Sequence, residues 1–535
     1  MATTFNRSAA PARRRYEAFI FVTGGVTLAL EVLSSRIMTP YFGVSLFIWS
    51  GILSITLAFL AIGYWAGGRA ATGKSAEQLL TLFLAGPAIA TVAIGISALV
   101  YPALFPWLAD RNLVVGSFLG GAVLLAVPIV TLSAMNPLLV ALRREDDDGG
   151  DAGAGVVFFV STVGSVAGVL VTAFVFIPGF SNYTGMLLLG IAVGVGTIGL
   201  AFSREPAPSG RGGVVITAAL GVIICLVMLL GKESYLRSLA SLEGIELDMR
   251  VAAQYSSLYG TIKVVEATRN DGTQLRLYLQ EGLVQNLIDD RGVSQSLHTH
   301  ALEELGLAYA PRARTALVLG LAAGLVPMRY TAEGIDVTVV DINPRSVEVA
   351  EHYFGFDAQA VTVQVEDART YVRRCDGQFD IVVVDLFHGD GTPDYLMTQE
   401  FFSDVARCLS RSGIIVMNTF YDNQNDEPNR RVLATIATAF GVTVEFRSPS
   451  GGTFLVATNT VLPTQIQTKA DHLPSSLIDA FRATVASGRL VPATEVAGAE
   501  PFSDQHNSFS FIFARAEMEH RKSWAQGLPP GLLVN

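Results

Sequence analysis

TALVLGLAAGLVPMRYTAEGIDVTVVDINPRSVEVAEHYFGFDAQAVTVQVEDARTYVRRCDGQFDIVVVDLF, residues 315–387, reads as four short apolar strands separated by helix-length segments. TALVLG runs into Gly320 and a turn of small residues, LAAG. DVTVVDIN ends on Asp341, VTVQVEDA on Asp367 and FDIVVVDLF on Asp385. Alternation of buried strands and helices predicts a parallel sheet covered on both faces. In such a sheet ligands bind outside the carboxyl ends of the strands, so the three carboxylates are expected around one crevice. A small-residue turn followed about 20 residues later by an acid is the spacing of a nucleotide site, with Asp341 on the ribose.

The chain around this stretch has two characters. Its 535 residues are 50% hydrophobic, with a mean hydropathy of +0.43. The apolar excess sits in the first 231 residues. Seven segments there approach the roughly 20 apolar residues needed to cross a bilayer: 18–39, 46–66, 79–101, 113–142, 154–177, 183–202 and 213–231. The fourth is long and carries Pro128 and Pro137. Glycines such as Gly63, Gly67, Gly68, Gly164 and Gly168 suit close helix packing. Arg13, Arg14 and Arg15 precede the first segment, and most other loop cations fall on the same side, which puts the N-terminus in the cytoplasm. Seven spans then put the second half outside, whereas a nucleoside-using enzyme belongs in the cytosol. Glu31 lies deep in the first segment with Arg36 near its end; a carboxylate at that depth either serves function or fixes the bundle through a neighbouring helix.

The net charge of -10 speaks against a nucleic-acid partner. Cys225, Cys375 and Cys408 are widely spaced and indicate neither a disulfide framework nor a zinc site. His298 and His300 stand two apart on a helix, point away from each other and have no third ligand nearby in sequence, so no metal is expected.

The organisation expected is a tail (1–17), a membrane domain of about seven helices (18–231), a connector and small β domain (232–310), an α/β Rossmann-like domain (311–460) and a C-terminal extension (461–535). In the β domain, YGTIKVVEA and QLRLYLQE flank NDGT, a strong hairpin signal. Beyond residue 387 come GIIVMNTF, VTVEF and TFLVATN; the last two are joined by SPSGG, too short for a crossover, and should pair antiparallel. Seven strands ending in a hairpin outline a Rossmann-like methyltransferase fold. A helix is expected near 474–487, then PFSDQHNSFSF, residues 501–511, then a polar tail.

On these residues the second half resembles the spermidine/spermine synthase family, the polyamine aminopropyltransferases. EVLSSRIMTPYFGVSLFIWSGILSITLAFLAIGYWAGG, residues 31–68, resembles the multi-span segment fused to such domains in some bacterial proteins. The resemblance implies transfer of an aminopropyl group from decarboxylated S-adenosylmethionine to an amine such as putrescine, with no prosthetic group, a lipid bilayer around the first half and homo-oligomers as an open possibility. It implies a glycine-rich turn at Gly320 and Gly324, a ribose acid at Asp341, adenine-side residues Asp367 and Ala368, a further nucleoside contact at Gln285, and a proton acceptor at Asp385 assisted by His388. A solvated loop histidine is the alternative for His388, a capping carboxylate for Asp341 and a turn residue for Asp367. The chain departs from the family pattern at Ala323 and His388, each in place of an Asp, at Ser294, Gln295 and Ser296 in place of Tyr-His-Glu, and at Gly260 in place of Gln. The lost residues are those that hold the cationic amine. An S-adenosylmethionine methyltransferase and a non-catalytic nucleoside or polyamine sensor or transporter therefore stand as alternatives.

Overall fold

The computed structural model describes residues 9–43, 46–146, 152–203, 210–239, 247–387, 389, 391–449, 451–463 and 466–535. They fall into two compact units. One holds the apolar helices together with Ala525–Asn535, and the other continues to Trp524.

In the first unit seven helical segments are long and apolar enough to cross a membrane: Arg14–Phe42, Ile48–Ala71, Ala76–Arg111, Leu113–Arg143, Gly153–Gly179, Asn182–Phe202 and Arg211–Leu230. The chain is a multi-pass membrane protein. The fourth segment breaks at Ala134, between helices Leu113–Ser133 and Met135–Asp146. Glycines bring backbones together. A methyl group on Gly164 would run into the Phe21 carbonyl, and one on Gly168 into that of Gly25. Gly68, by contrast, faces open space among the described residues. Leu57, Phe159, Phe174 and Val227 point outward, each more than 60% exposed. Hydrocarbon chains, not water, are the solvent such a surface fits.

The second unit begins with an antiparallel meander: β1 (Leu247–Ser257), β2 (Gly260–Arg269), β3 (Gln274–Gln280) and β4 (Leu283–Asp289). At the NDGT turn Asp271 accepts the Thr273 N–H at 2.8 Å and Gly272 takes φ 85°.

The second sheet has eight strands: β5 (Thr315–Leu319), β6 (Asp336–Asp341), β7 (Thr362–Val365), β8 (Phe379–Val384), β9 (Leu409–Thr419), β10 (Val442–Arg447), β11 (Thr453–Thr458) and β12 (Arg489–Leu490). Their order is β12-β10-β11-β9-β8-β5-β6-β7. β5 to β9 pair in parallel, and β10 and β11 form the antiparallel hairpin that the short SPSGG turn requires. Alternate residues feed two cores, as a period of two dictates. Leu317, Leu319, Val382 and Val384 face one; Ala316, Val318, Ile381 and Val383 face the other. The fold is Rossmann-like, of the methyltransferase type. Chain order reverses at β5, between β6 and β8, and a crevice opens there.

Two expectations are corrected. The polar tail after residue 511 belongs to a helix, Phe509–Gly527, that buries Phe513, with Phe509 just ahead of the tail, in the core; these two of its phenylalanines anchor an otherwise polar sequence. Cys375 and Cys408 are joined as a disulfide. Gly377 and Gln378 donate their N–H groups to the carbonyls of Arg407 and Cys408, a tertiary contact that a separation of 33 residues conceals.

Candidate active site

A cavity of about 270 Å³ lies at the carboxyl ends of β5, β6 and β8. Gln285, Gly320, Asp341, Asp367, Ala368 and Asp385 line it, with Tyr259, Phe387 and Tyr395. Gly324 is not in the wall: at φ 75° it caps the helix Leu325–Ala332 and packs on Phe356. His388 lies outside the described residues.

Each carboxylate is held differently. Asp341 is clamped by backbone, accepting from Leu321 N–H at 2.9 Å and Asn343 N–H at 2.7 Å. Capping of the next helix falls to Asn343, which accepts from Arg345 N–H, so Asp341 is not the cap. Asp367 does cap its helix, accepting from Thr370 N–H at 2.8 Å, and its second oxygen accepts from the Tyr395 hydroxyl at 2.7 Å. Asp367 is thus a helix cap and not a turn residue, and it also lines the cavity.

Asp385 follows β8. Val384 pairs with Met417, so the next residue along β9, Asn418, stands beside it and donates to its Oδ1 at 3.1 Å. Part of Asp385 opens on the cavity, but protein packed around it desolvates the charged form and raises its pKa above the ordinary carboxylate value; His298 opposes this in smaller measure. Burial lowers His298 in turn. A carboxyl with a raised pKa at the end of a sheet strand is a stronger base than a solvated one. Asn418 and Tyr395 were not singled out in the sequence. Counting β8–β9 register gives the first, whereas Tyr395 sits in a loop whose position no pattern fixes.

Gly320 holds the turn. At φ 95°, a methyl group there would strike the Asp385 carbonyl oxygen. Left-handed strain and this clash together should cost about 3 kcal/mol or more. Gly320→Ala should therefore lower the melting temperature by several degrees and close the cavity; an unchanged melting temperature would show that the turn can relax.

Two family departures acquire a physical setting. Ala323 is fully buried, its N–H given to Asn286 Oδ1 at 3.2 Å; a carboxylate there would enter the core. Gly260, at φ 108°, packs on Glu281, whose Oε1 accepts the Thr261 N–H at 2.6 Å.

Residues 297–446 match the Spermine/spermidine synthase domain. The chain is similar to a polyamine aminopropyltransferase of Vibrio vulnificus, 34% identical over 189 residues, which are 32% of this chain and 60% of that protein. It is also similar to an N-terminal histidine N-methyltransferase of Emericella nidulans, 35% identical over 118 residues and 21% of each chain. Among solved structures, a probable spermidine synthase from Corynebacterium glutamicum is 18% identical, with a TM-score of 0.39 over 48% of this chain and 97% of that one. The chain thus spans 60% and 21% of the lengths of these two curated relatives. Taken with the seven apolar helices, the chain is a membrane-spanning N-terminal region fused to a spermidine-synthase-like domain.

Proposed function

We propose that the protein is a membrane-anchored transferase moving an aminopropyl group from decarboxylated S-adenosylmethionine to a small amine such as putrescine. The observation that carries this is Asp385, a carboxyl of raised pKa, opening on the same cavity as the backbone-clamped Asp341. Asp341 lines the cavity, where its carboxylate accepts from a ribose diol. Gln285, Asp367 and Ala368 line the same cavity, where they contact the nucleoside. The amine nitrogen attacks the methylene carbon beside the sulfonium, a C–N bond forms, the C–S bond breaks and its electron pair stays on sulfur as a thioether. The proton lost by the amine passes to Asp385. His388 is the assisting residue of this reading. The retained residues are nucleoside-side and the lost ones amine-side, so the acceptor site differs from that of the family pattern.

The histidine N-methyltransferase likeness supports a second reading, methyl transfer from S-adenosylmethionine in the same cavity. Calorimetry on the full chain in detergent, with turnover assays, separates the two. Decarboxylated S-adenosylmethionine is expected to bind in preference to S-adenosylmethionine and to give product with putrescine. Binding of S-adenosylmethionine alone favours methyl transfer, and no nucleoside binding by folded protein removes both.

A further inference from the structure

Away from the nucleoside cavity, His300 and Glu303 on the helix Leu297–Tyr309 and His472 far along the chain bring one ligand atom each within 4.8 Å of the others. None of the three lines the cavity. His300 and Glu303 are 2% and 4% exposed. We propose that they form a binding site for a divalent transition-metal ion, zinc by preference, which ties the segment before the helix Ser475–Ala486 to the helix Leu297–Tyr309.

Hydrogen-bond chemistry carries the argument. His300 Nε2 lies 2.9 Å from the Ser294 carbonyl oxygen. A carbonyl only accepts, so Nε2 carries the ring proton. The other ring nitrogen, Nδ1, faces Glu303 Oε2, 3.1 Å away. At that distance a positive charge sits between the two atoms, either a proton or a metal ion. His472 Nε2 adds a third donor atom, 3.9 Å from the same Glu303 oxygen. That nitrogen is buried and has no hydrogen-bond partner among the described residues. Four donors at about 2.0–2.1 Å around a tetrahedral zinc stand about 3.3 Å apart, and the two separations at Glu303, 3.1 and 3.9 Å, lie on either side of that. The rings lie edge to face, with centroids 5.5 Å apart, so neither blocks the other's nitrogen.

The surroundings fit an ion. Imidazole nitrogen with carboxylate oxygen is a zinc donor set. A metal-bound histidine commonly donates its other N–H to a carbonyl or carboxylate, and Ser294 supplies that partner. Glu304 is already committed, accepting from Arg329 Nη2 at 3.2 Å and Lys469 N–H at 2.8 Å. The charge of Glu303 is the one that the ion answers. A water completes the set, and Glu304 Oε1, 3.6 Å from His472 Nε2, stays with Arg329. His472 is 172 positions from His300, which is why the pair His298 and His300 looked like no site in the sequence.

The test uses the full chain in detergent. Metal analysis after purification without chelator should find about one zinc per chain, and cobalt(II) added after chelator stripping should give the visible bands of a tetrahedral site. His472→Gln, which keeps bulk but supplies no ring nitrogen, should weaken zinc binding at least tenfold; Glu303→Gln should do the same. If His472→Gln does not fold, the stripped wild type still decides by zinc titration. Wild-type protein that holds no zinc and takes up none, its histidine held by a proton instead, overturns the site. So does a folded His472→Gln that binds zinc as tightly as wild type.

Discussion

Asp341→Ala is expected to weaken nucleoside binding at least a hundredfold. Two hydrogen bonds from a ribose diol to a carboxylate contribute about 1.5–3 kcal/mol each, and each 1.4 kcal/mol is a factor of ten in affinity. The substitution also releases the N–H groups of Leu321 and Asn343, which Asp341 holds. That second effect loosens the turn around Gly320 and the start of the helix Pro344–Phe354, so some loss of stability accompanies the loss of binding. Asp341→Asn separates the two. Its amide oxygen keeps one backbone bond and one acceptor, and it should lose less affinity and little stability. Calorimetry with decarboxylated S-adenosylmethionine and a melting curve on each variant check this. Unchanged affinity in a folded Asp341→Ala protein would remove the nucleoside site from this cavity.

The parts legible in the sequence are those set by local pattern. Strands β5 to β11 announce themselves as apolar runs of four to eight residues, and their alternation with helices fixes a parallel sheet and therefore one crevice. The antiparallel hairpin follows from loop length alone. Seven spans follow from hydropathy. What stayed hidden depends on contacts between distant segments or on irregular strands. β1 pairs with β2 through a register shift between Val251 and Ala253, and that bulge spoils the alternation a reader looks for. β12 is two residues long and is recruited by β10. The Cys375–Cys408 link and the approach of His472 to His300 both join segments whose spacing carries no signal. Gly324 reads like Gly320 in the turn, yet one supports the cavity wall and the other packs on Phe356; side-chain surroundings, not sequence, distinguish them. The carboxylates were visible as strand ends, but that Asp341 is clamped, Asp367 capped and Asp385 desolvated emerges only once their neighbours are placed.

Asp385→Asn is expected to lower turnover by 100-fold to 10,000-fold, the usual contribution of a positioned general base, while nucleoside affinity stays within about threefold. Asparagine keeps the volume and can still bond Asn418, but it cannot take the amine's proton. The pH dependence gives an independent signature. A base works deprotonated, so turnover should rise with pH through the Asp385 pKa, and burial places that limb above the ordinary carboxylate range. The limb should vanish in the residual activity of Asp385→Asn. Stability moves the opposite way. The folded state holds this proton to higher pH than the unfolded chain does, so its contribution is present below the unfolded pKa and is lost as pH rises through the folded one. Asp385→Asn should flatten that part of the melting-temperature profile. The two profiles together separate a proton acceptor from a structural carboxyl: a structural group moves the stability curve and leaves the pH dependence of turnover in place. Turnover equal to wild type would assign the proton to another group and leave Asp385 as the partner that aligns Asn418.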